Sequence, residues 1–403
     1  MTDSPKASPD FHGTAAAPMT RLAHAGRVDG SPFVNPPVIH ASTVLFDSVA
    51  QMKGKSATPA RYTYGRRGTP TSESLEGLIC DLEGAVGTVL TPSGASACAL
   101  GLMSVVGAGD HVLVMDGVYG PTRNTCEGVL KRFGVETTYF DTHVGARIVD
   151  LVRPNTRAVF LESPASLTFE MPDVPAITAA LDPLGDARPI VLMDNTWATP
   201  LFFKPLDHGV DVSIMAATKY VVGHSDALIG TIACGPRAWK AVKSTHGDLG
   251  MWTGPDDMYL ALRGARTMAV RLAQHQRSAL AIARWLETRP EVARVHHPAL
   301  PSHPDHAVWR RDFAGASGLF SFELRPCSFD AVAAFLDGLE LFGLGYSWGG
   351  YESLAILAEP AAIRTAVPWT AEGPLVRLQI GLEDTDDLLA DLARGLDRLR
   401  AQP

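Results

Sequence analysis

Cysteine is scarce in this sequence and never paired. The five cysteines, Cys80, Cys98, Cys126, Cys234 and Cys327, stand far apart and form no C-x-x-C pair, which argues against a disulfide framework or a zinc site. They read as reduced core thiols of a cytoplasmic protein. No stretch approaches the roughly 18 uninterrupted apolar residues of a membrane span. The polar, proline-containing start "MTDSPKASPDFHGTAAAPMT" lacks the apolar core of a secretion signal. The expectation is a soluble chain with no membrane partner. Like charges are not clustered either: 35 lysines and arginines are scattered through a chain of net charge -8, so no basic face points to nucleic acid. Solenoid or propeller repeats are absent, and so is the G-x-G-x-x-G fingerprint of a dinucleotide site.

What is present is bulk. With 403 residues, 46% of them hydrophobic, the chain can bury a large core in two or three domains. Residues 1–69 hold Pro32, Pro36, Pro37 and Pro59 and few periodic segments, which predicts an extended arm lying on another surface. Its first twenty or so residues are expected to be mobile. Residues 70–262 alternate short apolar runs with helical patterns and read as an α/β domain. From 258 onward "MYLALRGARTMAVRLAQHQRSALAIARWLETRP" has helix period and is expected to bridge into a C-terminal domain, 263–403, with strands of its own.

Four apolar runs in the middle zone, 111–115, 158–162, 190–193 and 212–215, read as buried parallel strands. Each is followed at once by polar or aromatic residues: Asp116 and Tyr119, Glu162 and Ser163, Asp194 and Asn195, Thr218 and Lys219. In open α/β sheets ligands sit beyond the carboxyl ends of parallel strands, so these groups can share one rim. Taken singly, each has a plain reading. Asp194 suits a turn, Tyr119 can pack one, and Lys219 can be a surface residue after a strand. The segment Ser93-Gly94-Ala95-Ser96, leading into a helix, is either a compact turn or a set of backbone N–H groups open to an anion. Together, an anion cradle, an aspartate, a flat aromatic and a lysine match pyridoxal phosphate: phosphate seat, partner of the pyridine nitrogen, stacking surface and amine. No metal is expected.

At these residues the chain resembles the pyridoxal-phosphate enzymes of cysteine and methionine metabolism. The resemblance runs from about Thr20 to about Arg398 through "YGRRGTPT", "VYGPTRNTC", "LESPASLTFEMPDVPAI", "MDNTWATPLFFKPLDHGVDVSI", "AATKYVVGHSDALIGT" and "YSWGGYESL". It implies the aspartate-aminotransferase-like fold, fold type I, and tetramers built as a dimer of dimers. Lys219 and Tyr119 are the implied catalytic pair: Lys219 bonds the cofactor and then serves as base, while Tyr119 stacks on the ring. Asp194 would pair with the pyridine nitrogen, and Gly94, Ala95 and Thr218 would hold the phosphate. Tyr64 and Arg66 would reach the phosphate of a neighbouring subunit, making the active sites shared. Arg377 would clamp a substrate carboxylate, with Ser347 and Trp348 lining the same end and Tyr259 near the distal part of the substrate. Ala216 and Ser166 stand where many members carry serine and asparagine. With Trp348, they point to the branch that eliminates sulfur from Cβ of an amino-acid thioether. The same scaffold also supports γ-elimination, γ-replacement and desulfhydration, and a non-catalytic cofactor-binding regulator is a further class. His224 and Asp226 carry no assigned role and suit loop packing. A lysine base has an ordinary pKa of about 10.4, so the site must lower it.

Overall fold

The computed structural model describes residues 16–27 and 32–401. Most of the N-terminal stretch expected to be mobile lies outside the described residues. The larger sheet has seven strands: β1 (Gly87–Thr91), β2 (His111–Met115), β3 (Glu136–Phe140), β4 (Thr156–Glu162), β5 (Ile190–Asp194), β6 (Val212–Met215) and β7 (Gly230–Cys234). Their spatial order is β1-β7-β6-β5-β4-β2-β3. β7 runs antiparallel to β1 and β6, and the rest are parallel. The four runs read as parallel strands are β2, β4, β5 and β6, adjacent at the centre of the sheet. Val112, Leu113, Val114 and Met115 of β2 are fully buried, and each such side chain contributes about 1.5–3 kcal/mol.

A second sheet comprises β8 (Val292–His296), β9 (Leu319–Leu324), β10 (Gly343–Leu344), β11 (Leu354–Ala358) and β12 (Leu375–Gln379), ordered β10-β11-β12-β9-β8. Val376 and Leu378 of β12 join a core with Ile282, Phe335, Leu392 and Leu396 from the helices Met268–Leu286, Phe329–Asp337 and Thr385–Arg400. Side chains alternate along a strand, so Arg377, between these two, faces the other way. That places a guanidinium above the rim of the large sheet.

The long helical pattern from 258 is broken into two helices, Pro255–Ala265 and Met268–Leu286. The Gly264 carbonyl is taken by the Thr267 N–H and hydroxyl, each at 3.1 Å, and by Arg271 Nη2 at 2.8 Å. Those claims end the first helix. Gly264 itself is required there, because a Cβ would lie 2.2 Å from the Val222 carbonyl oxygen.

One buried cluster joins the two sheets. Asp116, beyond the end of β2, accepts the N–H groups of Thr365, Ala366 and Val367, each at 3.0 Å, and Arg123 Nη2 at 2.5 Å. Burial alone would raise its pKa. These donors more than compensate and hold it below the ordinary carboxylate value. Arg364 closes the cluster with Nη2 donating to Glu170 at 2.7 Å. This fastening fixes how the C-terminal sheet sits over the rim.

The segment from 32 to 67 is largely irregular, with a short helix Val49–Met52 and an isolated bridge between Thr43 and Tyr64. Phe33, Leu45 and Val49 are exposed on it, Leu45 to 88%.

Candidate active site

The strand ends of the large sheet and the Arg377 face of the small one enclose a cleft of about 920 Å³, part of it open to solvent. At its floor Ser93 caps the helix Gly94–Met103, its hydroxyl accepting the Ser96 N–H at 3.1 Å. The N–H groups of Gly94 and Ala95 have no partner among the described residues. A Cβ on Gly94 would lie 2.3 Å from Ala216 Cβ, so the helix start can approach the strand end only with glycine there. Free amides at a helix N-terminus form a seat for a phosphate. Thr218 lines the same end, its hydroxyl bonded to the main chain of Ile229 at 2.9 and 3.2 Å.

Asp194 ends β5 and is buried. Its Oδ1 accepts the Thr196 N–H at 2.9 Å and the Thr196 hydroxyl at 2.5 Å, while Cys98 Sγ donates to Oδ2 from 3.7 Å. Burial raises the Asp194 pKa, with the Thr196 bonds opposing, so a cation docked beside it would relieve the cost of that burial. Tyr119 lines the cleft with its phenol pKa raised by burial and by Cys98, Asp194 and Glu162, so it stands as a neutral ring.

Lys219 Nζ donates to Ser347 Oγ at 2.5 Å and lies 5.3 Å from the centre of the Trp348 ring. Burial first, and Arg377 second, lower its pKa to about 8, with Asp194 opposing. Ser347 has a left-handed backbone, φ 81°, and its carbonyl accepts Arg377 Nη2 at 3.1 Å. Base and guanidinium therefore meet on one residue. Arg377 Nε is buried without a partner among the described residues, the state expected of a fork that awaits a carboxylate. Burial lowers the Arg377 pKa to about 10, which leaves it charged at neutral pH.

Gly94, Ala95, Tyr119, Asp194, Thr218, Lys219, Trp348 and Arg377 thus share one cleft, and Ser347 touches Lys219. Besides Ser347, three expected residues do not line it. Arg66 donates to the Gly247 carbonyl at 2.7 Å, the half-exposed Tyr64 accepts from Ser42, and Tyr259 lies on the helix Pro255–Ala265. His224 bonds the Val222 carbonyl at 2.7 Å and, like Asp226, is not part of the cleft wall. Sequence reasoning missed Thr196 and Cys98 and gave Glu162 no role. The D-x-T spacing is a signal for Thr196, since an aspartate readily binds the backbone two residues on. Cys98 carried no such signal.

The free amides, the buried carboxylate, the flat neutral ring and a lysine of lowered pKa fit pyridoxal phosphate residue by residue. The fold and the cleft are those of a fold type I pyridoxal-phosphate enzyme. Residues 19–397 match the model of the family described as Cys/Met metabolism PLP-dependent enzyme, and the chain belongs to that family. A cystathionine beta-lyase of Escherichia coli K12 is 47% identical over 389 residues, covering 94% of this chain and 98% of the relative. One of Salmonella typhimurium LT2 is 45% identical over 390 residues, with the same coverage. Among solved structures, a cystathionine gamma-lyase of Lactobacillus plantarum complexed with L-serine aligns with TM-score 0.86 at 31% identity, covering 96% of this chain and 100% of that one.

Proposed function

We propose that the enzyme cleaves L-cystathionine by α,β-elimination, giving homocysteine, pyruvate and ammonia. The observation that carries the chemistry is the placement of Lys219 Nζ, held by Ser347 Oγ beside the face of Trp348 and close to Arg377. Relatives named as beta-lyases over nearly the whole chain support the substrate and the bond broken. Pyridoxal phosphate, when bound, supplies a sink for the electron pair left at Cα. Gly94, Ala95 and Thr218 would hold its phosphate, Asp194 its ring nitrogen and Tyr119 its face.

The rest is done by the chain. Arg377 binds the α-carboxylate and so fixes Cα under Lys219. With a pKa of about 8, Lys219 is partly free amine at neutral pH and takes the Cα proton. Ser347 aims the amine. The Cβ–S bond then breaks, sulfur keeps its electron pair, and Lys219 returns the proton to it. The remaining three-carbon enamine takes up water and yields pyruvate and ammonia. The test is the product: the purified enzyme given L-cystathionine should release pyruvate, whereas chiefly 2-oxobutyrate would show cleavage on the γ side.

The same reading makes the enzyme a cytoplasmic homotetramer, a dimer of dimers with shared sites. Its support is the position of Tyr64 and Arg66 away from the cleft of their own chain and the exposed Phe33, Leu45 and Val49 on the same N-terminal segment. An arm of that kind suits a neighbour's cleft.

A further inference from the structure

Glu162 is the titratable cleft-lining group that the reaction above leaves unused. It ends β4 and is paired in register with Asp194 at the end of β5, which sets the two residues on strands roughly 4.8 Å apart. Its Oε2 accepts the backbone N–H of Tyr119 at 2.6 Å. It is partly exposed and lines the cleft. Among the described residues no lysine, arginine or histidine forms an ion pair with it. The titratable groups around it are Asp194 from β5, Cys98 from the helix Gly94–Met103 and Tyr119 from the turn after β2. Lys219 and Arg377 face the same cleft from beyond them.

We propose that Glu162 is a positioning residue that carries a proton: it holds Tyr119 over the cofactor ring and leaves Asp194 as the single anion facing the ring nitrogen. Two neighbouring buried carboxyls do not both ionise readily, and the one without compensating donors keeps the proton. Asp194 has two bonds from Thr196 and one from Cys98. Glu162 has one backbone N–H. Burial and then Asp194 push Glu162 well above the ordinary carboxylate range, in line with that division. The assignment rests on the site holding pyridoxal phosphate and not on which bond the enzyme breaks.

The pH dependence follows from linkage. Affinity depends on pH only between the titration of Glu162 in the free and in the bound enzyme, by at most about tenfold per pH unit for one proton. Glu162→Gln keeps an oxygen for the Tyr119 N–H and cannot ionise; Glu162→Ala loses the oxygen. Equilibrium dialysis of the three holoenzymes against graded pyridoxal phosphate, from about pH 6 to about pH 10, measures affinity apart from turnover. The ratio of Glu162→Gln to wild-type affinity should be flat at low pH, where both side chains are neutral, and depart from that value at high pH, where only the wild type can ionise. Visible circular dichroism of the bound cofactor should be weakened at every pH in Glu162→Ala and preserved in Glu162→Gln. Borohydride should still fix the cofactor to Lys219 in all three, which separates failure here from failure of the cofactor reading. A ratio constant with pH, or a glutamine variant as weak as the alanine variant throughout, overturns the proposal. If the variants do not fold, the wild-type holoenzyme decides by infrared spectroscopy. Glu76 and Glu83, each raised to about 7, lose their acid bands by about pH 9. A further carboxylic acid band that outlasts theirs as pH rises is required, and its absence refutes the assignment.

Discussion

Replacing Arg377 with alanine should do two separable things. The first is loss of the carboxylate clamp. Nη2 gives one of its two N–H groups to the Ser347 carbonyl, while Nε has no partner among the described residues, so most of the guanidinium's five donors are left for a substrate. Two charge-assisted hydrogen bonds at about 1.5–3 kcal/mol each give about 3–6 kcal/mol. Water entering the space recovers part of that, so kcat/KM should fall about 10²–10³-fold. The second effect is electrostatic. Arg377 is the next largest cause, after burial, of the lowered Lys219 pKa. Without it Lys219 holds its proton to higher pH, and the free amine appears later. The acid limb of the kcat profile, which reports the base in the substrate complex, should therefore move upward. Stopped-assay kinetics with L-cystathionine across pH measure both, and Arg377→Lys should restore the limb more than the affinity, since an ammonium keeps the charge but not the fork. A kcat/KM within about tenfold of wild type, with an unmoved limb, would refute both the clamp and the coupling.

Borohydride reduction followed by peptide mapping should place the cofactor on Lys219, with no adduct in Lys219→Ala; a label on another lysine would exclude Lys219. Gly94→Ala drives a Cβ to 2.3 Å from that of Ala216, so thermal melting should show a loss of about 1–3 kcal/mol and dialysis a weaker hold on pyridoxal phosphate. Unchanged values would mean that the helix start is not confined as described. Arg66→Ala mixed with Lys219→Ala should regain activity after subunit exchange, because one site of each hybrid pair then has both residues intact. No recovery despite verified exchange would count against shared sites.

The parts of this fold that could be read from the sequence are those where burial alone dictates composition. β2, β4, β5 and β6 are covered on both faces, so each is an unbroken apolar run, and the rim rule then points to the residues just after them. Lys219, Asp194 and Tyr119 were accessible in that way. The direction of β7 was not: "GTIAC" is as buried as its neighbours and runs the other way, and composition reports burial, not polarity. β3, "ETTYF", is partly exposed at an edge and carries no such run. The break after Ala265 was equally hidden, since the Gly264 carbonyl is claimed by Thr267 and Arg271 and a periodic pattern records side chains, not competition for a backbone oxygen.

The same distinction divides the site. A residue that acts through its own chemical type is visible in one dimension: a lysine after a strand or a glycine at a helix start. A residue that acts through a neighbour is visible only once strands are in register. Glu162 depends on Asp194 across one strand gap and on a Tyr119 N–H 43 residues away, and Ser347 matters because Lys219 and Arg377 both reach it. Neither relation leaves a spacing in the sequence. Tyr64, Arg66 and Tyr259 show the limit from the other side. The family resemblance assigned them to a site, and a single chain folds without bringing them to its own cleft. An arm that keeps Leu45 and Val49 exposed gains its burial from a second copy or not at all, so the shared-site reading and the stability of the arm stand or fall together.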